Sequence, residues 1–220
     1  GTGYALTVAY EYSQKESYKE AAIQAAIHLR AISVPQGKGY LIPWHDVPGE
    51  EPIFYLANCH GPAGTSKLFY GLYEITNDEA YLDDIKSLYY GLRHLGAPEK
   101  MSPGYWNSVC VCCGAAGILQ FLLNVAIVFK GTDFAKEVEE VATTAAEILV
   151  GEQESKIGGR IGVWPIAYER IKPENVAPNF DYFTGSAGIG ESLLRIYQYN
   201  NKDIKFVRLI DDPYPTDIAL

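Results

Sequence analysis

Four cysteines are the residues of this sequence best suited to chemistry. Cys110, Cys112 and Cys113 lie within four positions, and Cys59 stands far upstream. The adjacent Cys112 and Cys113 are poorly placed to bridge each other, because the small ring that such a disulfide closes would strain the peptide between them. A secreted disulfide scaffold would also spread more cysteines along a shorter chain. The residues alone leave two interpretations open, metal ligands or reduced thiols that pack as small hydrophobic side chains.

Composition and charge exclude several classes of protein. The 220 residues are 48% hydrophobic and 20% charged, which is enough apolar material to fill a core. With 18 basic and 27 acidic residues the net charge is −9, the wrong sign for binding nucleic acid or an anionic membrane surface. No apolar run reaches the roughly 20 residues that span a bilayer. We therefore expect a cytoplasmic protein with neither nucleic acid nor membrane as a partner.

A short motif of small residues recurs along the chain. It reads Cys-His-Gly-Pro-Ala-Gly at 59–64, Cys-Cys-Gly-Ala-Ala-Gly at 112–117 and Phe-Thr-Gly-Ser-Ala-Gly at 183–188. When the copies are aligned on their last glycine, Gly1 begins a fourth copy that lacks its front. The aligned glycines at 1, 64, 117 and 188 are therefore 63, 53 and 71 residues apart. Self-similarity on this scale is the sequence signature of a repeat architecture.

Each repeat reads as a helix, a short polar turn and a second helix. The segments 65–75 and 118–129 are apolar on most faces, which is typical of helices buried on both sides. The segments 18–29 and 133–150 are amphipathic with a period near 3.6, which is typical of half-exposed outer helices. We predict an all-α fold, an α/α toroid of helical hairpins, that forms a single domain over residues 1–220. Long connections at 33–58, 95–111 and 151–182 lead into the motifs, so we place a site there and expect short β-hairpins, for instance at 159–168.

The repeated motifs resemble those of the lanthionine synthetase C family, the LanC-like proteins. The copies at 59–64, 112–117 and 184–190 are similar, in order, to the last three repeat motifs of that family. The resemblance implies a toroid of seven inner and seven outer helices, of which this chain carries about four repeats. It also implies a zinc ion at one end of the barrel. The family's usual Cys-His pair is replaced here by a Cys-Cys-Gly variant, which implies Cys59, Cys112 and Cys113 as the Zn²⁺ ligands.

The resemblance implies an enzyme activity as well. A zinc-activated cysteine thiol of a peptide, or a small thiol such as glutathione, would add to a dehydroalanine or dehydrobutyrine residue and form a thioether. Cys110 is expected to be a packed thiol outside the metal site. His60 is the candidate proton-handling residue, and Trp44 and His45 are candidate substrate-binding residues. His28 and His94 fall on outer-helix patterns, where surface or core roles are expected.

Two other functions stay open at this point. One is a zinc-binding module of the same fold without catalysis. The other is a carbohydrate-active α/α toroid that cleaves a glycosidic bond with paired carboxylates. Its candidate carboxylates are Asp46, Glu50, Glu51 and Asp181. This second function leaves the cysteine-rich motifs unexplained.

The chain also departs from the family pattern. The family's catalytic histidine would lie just before Gly1, and Tyr55 stands where an arginine often precedes the first zinc cysteine. We therefore expect a domain truncated on its N-terminal side, with weak catalysis of its own. Stopping at four repeats would leave apolar faces along 4–12 and 192–199, so we expect self-association through them or closure by further chain.

Overall fold

The computed structural model describes residues 1–100, 108–156, 158–159, 161–169, 172–201 and 211–216. Part of the second long connection, including Pro103 and Trp106, lies outside the described residues. Seven α-helices occur within these ranges: α1 (Thr2–Ser13), α2 (Glu16–Ala31), α3 (Pro62–Thr76), α4 (Ala80–His94), α5 (Ala115–Val128), α6 (Asp133–Gly151) and α7 (Ser186–Asn200). Among the described residues, no helix combines the length and apolar character needed to cross a membrane.

The helices form antiparallel pairs whose turns follow the sequence repeat. Gln14 and Asn77 end α1 and α3 in the left-handed conformation, with φ of 54° and 55°. Their backbone N–H groups donate to the carbonyl oxygens of Tyr10 and Tyr73, which are equivalent positions of two repeats. This left-handed cap satisfies a carbonyl at the helix end and reverses the chain within a few residues.

Inner and outer helices differ in burial, as the hydrophobic patterns predict. In α5, every residue from Ala115 to Ile127 is buried, whereas α6 buries one stripe that includes Val138 and Leu149. The inner helices pack in series, α1 on α3, α3 on α5 and α5 on α7, and each of α1, α3 and α5 also packs on its own outer helix. This arrangement is the all-α toroid architecture expected from the sequence.

Within the described residues, three two-stranded antiparallel hairpins lie in the connections. The strands are β1 (Val34–Gln36) with β2 (Gly39–Leu41), β3 (Glu154–Lys156) with β4 (Ile161–Val163), and β5 (Pro165–Glu169) with β6 (Lys172–Pro178). The prediction of a single hairpin at 159–168 is wrong in its boundaries. Gly158 and Gly159 have positive φ in the segment between β3 and β4, so the predicted segment spans the end of one hairpin and the start of the next.

The described part of the C-terminal segment, residues 211–216, packs against the inner helices. Asp212 is buried and accepts hydrogen bonds from Asn124 of α5 and Arg195 of α7. Tyr214 is buried and stacks on Tyr70 of α3 at a ring-centroid distance of 4.6 Å. The segment therefore joins three inner helices that are far apart in the sequence.

Candidate metal centre and adjoining cavity

The three recurring motifs form three equivalent helix starts. Gly61, Gly114 and Gly185 are the N-cap residues of α3, α5 and α7, and all three have an extended backbone. Three residues further on, Gly64, Gly117 and Gly188 lie so close to a preceding carbonyl oxygen that a Cβ atom would overlap it. In each case the carbonyl belongs to the residue six positions earlier: Asn58, Val111 and Tyr182. The glycines of the motif are therefore required by close backbone approach rather than by turn flexibility.

Backbone hydrogen bonds join these helix starts to one another. The N–H of Cys59 donates to the carbonyl oxygen of Cys112 at 3.0 Å, and the N–H of Cys112 donates to that of Phe183 at 2.8 Å. Cys59, Cys112 and Phe183 occupy the same position in their motifs. One turn thus holds the next in register, and this brings together cysteines that are 53 residues apart in the sequence.

The sulfur atoms of Cys59, Cys112 and Cys113 lie within 4.8 Å of one another. The Cys59 and Cys113 sulfurs are 3.5 Å apart, and those of Cys112 and Cys113 are 3.4 Å apart. Cys59 is exposed and the other two are partly buried, so the cluster is reachable from solvent. All three side chains stand just before the N-terminus of a helix, where the dipole favours negative charge.

Close contact between the thiols shifts their pKa values in opposite directions. The pKa of Cys59 is lowered to about 3, chiefly because the thiols of Cys112 and Cys113 donate hydrogen bonds to its sulfur, with help from the backbone N–H of His60. The pKa of Cys113 is raised, because its single S–H is close to the sulfurs of Cys110, Cys112 and Cys59 and can donate to only one of them at a time, an interaction that ionisation removes. The cluster gives up one proton readily and resists losing more, so a cation is needed to hold it as three thiolates.

The donor set fits zinc. Zn²⁺ prefers sulfur and nitrogen ligands in a tetrahedron, and a Zn–S length of about 2.3 Å places two sulfur ligands about 3.8 Å apart. The S–S distances of 3.4 and 3.5 Å need to open by only a few tenths of an ångström to reach that spacing. Three thiolates with a solvent-facing side are also the pattern of a site with one open position.

Cys110 lies beside the cluster but outside the group of three. Its side chain is 3% exposed, and its sulfur is 3.0 Å from the hydroxyl oxygen of Ser108. The pKa of Cys110 is lowered to about 6, mainly by the neighbouring Cys113 thiol, with help from the Ser108 hydroxyl. The expectation of a packed thiol agrees with this burial.

A cavity of about 390 Å³ opens next to Cys59. Cys59, His60 and Trp44 line it together with residues of α1, α2 and α3 and of the connection between α2 and α3. The ring of His60 lies 6.3 Å from that of Trp44 and 5.4 Å from that of Tyr55, measured between centroids. The structure therefore brings His60 and Trp44 to the same cavity as the first cysteine of the cluster.

His45 lies next to this cavity rather than in its lining. Its ring packs against Trp44 at 5.3 Å, its Nε2 is 3.5 Å from a carboxylate oxygen of Glu50, and its buried Nδ1 has no hydrogen-bond partner among the described residues. His28, expected to have only a surface or core role, is exposed but also lines the cavity. Helical periodicity placed it on an outer helix correctly and carried no signal that α2 borders a cavity.

The four carboxylates considered for glycosidic cleavage are exposed and lie in two different connections. Asp46, Glu50 and Glu51 are exposed in the loop after β2. Asp181 accepts hydrogen bonds from the backbone N–H and the hydroxyl of Thr184, both at 2.6 Å, which lowers the pKa of its carboxyl. The N-cap of α7 is Gly185, and Asp181 closes the turn before it.

The fold is an α/α toroid, and a cluster of thiols lies where two of its inner helices begin. These features define a class of toroid with a candidate metal site. A family model described as lanthionine synthetase C-like protein matches residues 1–162 of this chain. The match covers 162 of 220 residues, so the chain belongs to the lanthionine synthetase C-like family. It includes both cysteine motifs and ends before the third helix start. No curated protein sequence matches the chain.

Proposed function

We propose that this protein binds one Zn²⁺ through Cys59, Cys112 and Cys113 and adds a cysteine thiol to a dehydroalanine or dehydrobutyrine residue, forming a thioether. The observation that carries the proposal is the gathering of three sulfur atoms within 4.8 Å from two separate repeats. Membership of the lanthionine synthetase C-like family supports the same reaction class. A carbohydrate-active function gains no support from either finding.

The metal would supply a single kind of chemistry at this site. Bound zinc stabilises a substrate thiol as its thiolate at neutral pH, which keeps the sulfur nucleophilic. The protein's part is to hold three thiolates together with the fourth position open. The carbonyls of Cys112 and Phe183 do this through the backbone hydrogen bonds that fix the two cysteine turns.

The side chains around the cavity have the remaining tasks. When the substrate sulfur bonds to the β-carbon of the dehydro residue, the π electrons of the double bond become a carbanion at the α-carbon. This α-carbon must then be protonated. We assign this proton transfer to His60, which lines the cavity one residue from Cys59. We assign substrate positioning to Trp44, which also lines the cavity, and to His45, which packs against Trp44.

The same proposal extends to compartment and partners. All four cysteines are free thiols, and a reducing cytoplasm would keep the three ligands available. The partner is a peptide or small thiol, with no role for nucleic acid or membrane. Tyr12 on α1 and Leu194 and Tyr197 on α7 are exposed hydrophobic residues on the terminal helices, through which we propose self-association.

The test combines elemental analysis of freshly purified reduced protein with a thiol-addition assay on a dehydroalanine peptide. We expect one zinc per chain and measurable thioether formation. His60→Gln should lower kcat by about 100-fold if it delivers the proton. His94→Gln, an exposed histidine of α4 outside the cavity lining, is the matched control.

The outcomes separate the proposed enzyme from its alternative. Zinc without thioether formation would identify a non-catalytic zinc-binding module. Absence of zinc from reduced protein would overturn the proposal altogether. An unchanged rate in His60→Gln would move the proton transfer to another residue while leaving the metal site in place.

A further inference from the structure

The four cysteines of this chain form several pairs of neighbouring sulfurs. The sulfur of Cys113 lies 3.5 Å from that of Cys59 and 3.4 Å from that of Cys112, and it is also close to that of Cys110. The sulfurs of Cys59, Cys112 and Cys113 all lie within 4.8 Å of one another. Neighbouring thiols can be joined by an oxidant as well as by a metal, so each pair is a candidate disulfide.

Covalent geometry disfavours the pair within the second motif. Cys112 and Cys113 are adjacent, and a disulfide between them would close a small ring that strains the peptide bond. Strain makes a disulfide easier to reduce. We therefore expect no lasting cross-link between these two sulfurs, although they are only 3.4 Å apart.

Access from solvent disfavours the pairs that contain Cys110. A dissolved oxidant has to reach one sulfur of a pair before the second sulfur can react. Cys110 is 3% exposed, and its sulfur lies 3.0 Å from the hydroxyl oxygen of Ser108. Cys59, by contrast, is the exposed cysteine of the four. The oxidant therefore meets Cys59 first, with the thiols of the second motif beside it.

Backbone hydrogen bonds hold Cys59 next to the second motif. The N–H groups of Asn58 and Cys59 both donate to the carbonyl oxygen of Cys112 at 3.0 Å. The starts of α3 and α5 therefore stay side by side while the side chains move. To bond, the sulfurs of Cys59 and Cys113 must approach from 3.5 Å to the roughly 2.05 Å of a disulfide, a distance that rotation of the two side chains can cover.

We infer that a peroxide joins Cys59 to the Cys112–Cys113 pair through a reversible disulfide and thereby releases zinc from the site. Cys113 is the expected partner, because its sulfur is 3.5 Å from that of Cys59. The disulfide takes two of the three protein ligands, and one remaining thiolate is too few to hold the ion. The inference rests on the proposed zinc site and adds a redox control to it.

The oxidation balances with hydrogen peroxide as the oxidant. The Cys59 sulfur attacks one oxygen of the peroxide, the O–O bond breaks, and hydroxide leaves while Cys59 becomes a sulfenic acid. The sulfur of Cys113 then attacks the Cys59 sulfur, the S–O bond breaks, and water leaves with the proton of the Cys113 thiol. The hydroxide takes up the proton that Cys59 lost. The two thiols thus give up two electrons, and one peroxide becomes two waters.

The first experiment treats zinc-loaded reduced protein with hydrogen peroxide and measures zinc release with a chromogenic chelator. Mass spectrometry of the same samples follows the loss of two hydrogen atoms, and peptide mapping without reduction locates the cross-link. We expect a disulfide from Cys59 to the second motif, a zinc affinity lower by at least about 100-fold, and recovery of the reduced, zinc-binding state with dithiothreitol. A cross-link that contains Cys110, or oxidation of Cys59 beyond the sulfenic acid without any disulfide, would overturn the inference.

Two alanine variants test which cysteines take part. Both are oxidised as metal-free reduced protein, so that differences in zinc binding do not enter the comparison. Cys110→Ala should form the disulfide to the same extent as the original protein. Cys59→Ala should form less than about a tenth as much, because the exposed thiol is gone and the adjacent pair is strained. Loss of the disulfide in Cys110→Ala together with its retention in Cys59→Ala would overturn the inference.

An assay of thioether formation before and after peroxide treatment distinguishes the redox control from the proposed catalysis. Formation of the Cys59 disulfide and release of zinc, in a protein that forms no thioether before treatment, would retain the inference and reject catalysis. Thioether formation that is equal before and after treatment, with no Cys59 disulfide, would retain the proposed function and reject the inference.

Discussion

Two kinds of helix start lie side by side at one end of this toroid. The starts of α3 and α5 carry cysteines, and the start of α7 carries Phe183 and Thr184 at the equivalent positions. Their backbones are alike, with an extended glycine N-cap and a second glycine pressed against a carbonyl. The two side chains before the N-cap differ in their chemistry.

The difference shows that different residues of the motif determine its backbone path and its chemistry. In the third turn, Thr184 bonds to Asp181 and Asn179, so its side chain stabilises the turn that carries it. In the first two turns, Cys59, Cys112 and Cys113 contact one another instead. The glycines set the path of the backbone, and the two residues before the N-cap decide whether the turn can hold a metal.

The third turn nevertheless takes part in the site. The carbonyl of Phe183 accepts the hydrogen bond of the Cys112 N–H, so a turn without ligands positions one that has them. Without that acceptor the Cys112 amide at the partly buried cluster would need another partner. The comparison therefore predicts that substitutions in the third turn weaken zinc binding at the cysteine cluster.

The largest effect is expected from changing a motif glycine. In Gly188→Ala the new methyl group would overlap the carbonyl oxygen of Tyr182 and press on Val111, so we expect a loss of about 3 kcal/mol in the free energy of unfolding. Gly190→Ala, two residues along the same helix, has no atom within 4 Å of the new Cβ. It should be neutral or gain up to about 1 kcal/mol from helix propensity. Urea denaturation of the two variants makes the measurement, and equal stabilities would show that the close approach is not required.

The next largest effect concerns the metal. Alanine in place of Cys59, Cys112 or Cys113 should weaken zinc binding by about 100-fold or more, since one of three thiolates is lost. Cys110→Ala removes a buried thiol that does not belong to the group of three, and it should retain the zinc. Competition with a chromogenic chelator provides the affinities. Retention of metal by Cys112→Ala together with its loss in Cys110→Ala would show that the ligand assignment is wrong by two residues.

Much of the fold could be predicted because the same hydrophobic pattern occurs in several repeats, and each repeat supports the interpretation of the others. The apolar segment 118–129 and the amphipathic segment 133–150 have periods that identify inner and outer helices, and α5 and α6 fall on them. The polar breaks at Gln14 and Asn77 coincide with the left-handed caps. The hairpin boundaries could not be placed, because strands of three residues carry too little alternation to define their ends.

The candidate site was predictable only in part. The resemblance to the lanthionine synthetase C family implies Cys59, Cys112 and Cys113 as ligands, whereas the residues alone leave metal ligands and packed thiols open. The structure brings these three cysteines together. The cavity could not be found in this way, because its walls come from α1, α2, α3 and the connection between α2 and α3, and they depend on how these parts pack. The roles of Asp181 and Phe183 were also beyond sequence reasoning, since a backbone carbonyl that accepts a hydrogen bond leaves no mark on residue type.

Replacing one protein ligand by another tests the comparison more selectively, and the expected change in zinc affinity is smaller. Cys113 occupies the position that His60 holds in the first motif, and the family's usual pair at the second motif is Cys-His. Cys113→His should therefore keep zinc with an affinity within about tenfold of the original, since imidazole is also a good zinc ligand. Cys113→Ala is the paired variant and should bind far more weakly. Equally weak binding by both variants would mean that only a thiolate fits at this position.

The smallest effect is expected at the turn that has no ligands. Asp181 bonds to Thr184 and Asn179, and these bonds lower the pKa of its carboxyl. Because the folded pKa lies below the unfolded value of about 3.9, the ionised carboxylate stabilises the fold above that pH, and the contribution disappears as the pH falls through the folded pKa. Asp181→Asn should lower the free energy of unfolding by only a few tenths of a kcal/mol at pH 7, because solvent screens this exposed carboxylate, and by almost nothing at the acid end.

The pH dependence separates this effect from a general change of charge. Asp46→Asn removes an exposed carboxylate from the loop after β2 and serves as the matched control, with little effect expected at either pH. Because Phe183, within the Asp181 turn, accepts the Cys112 N–H, Asp181→Asn should also weaken zinc binding by a few-fold at pH 7. Chemical denaturation between pH 7 and the acid end, paired with chelator competition at pH 7, measures both quantities. A stability loss that leaves zinc affinity untouched would show that the third turn folds independently of the metal site, and the coupling between the two kinds of helix start would then be absent.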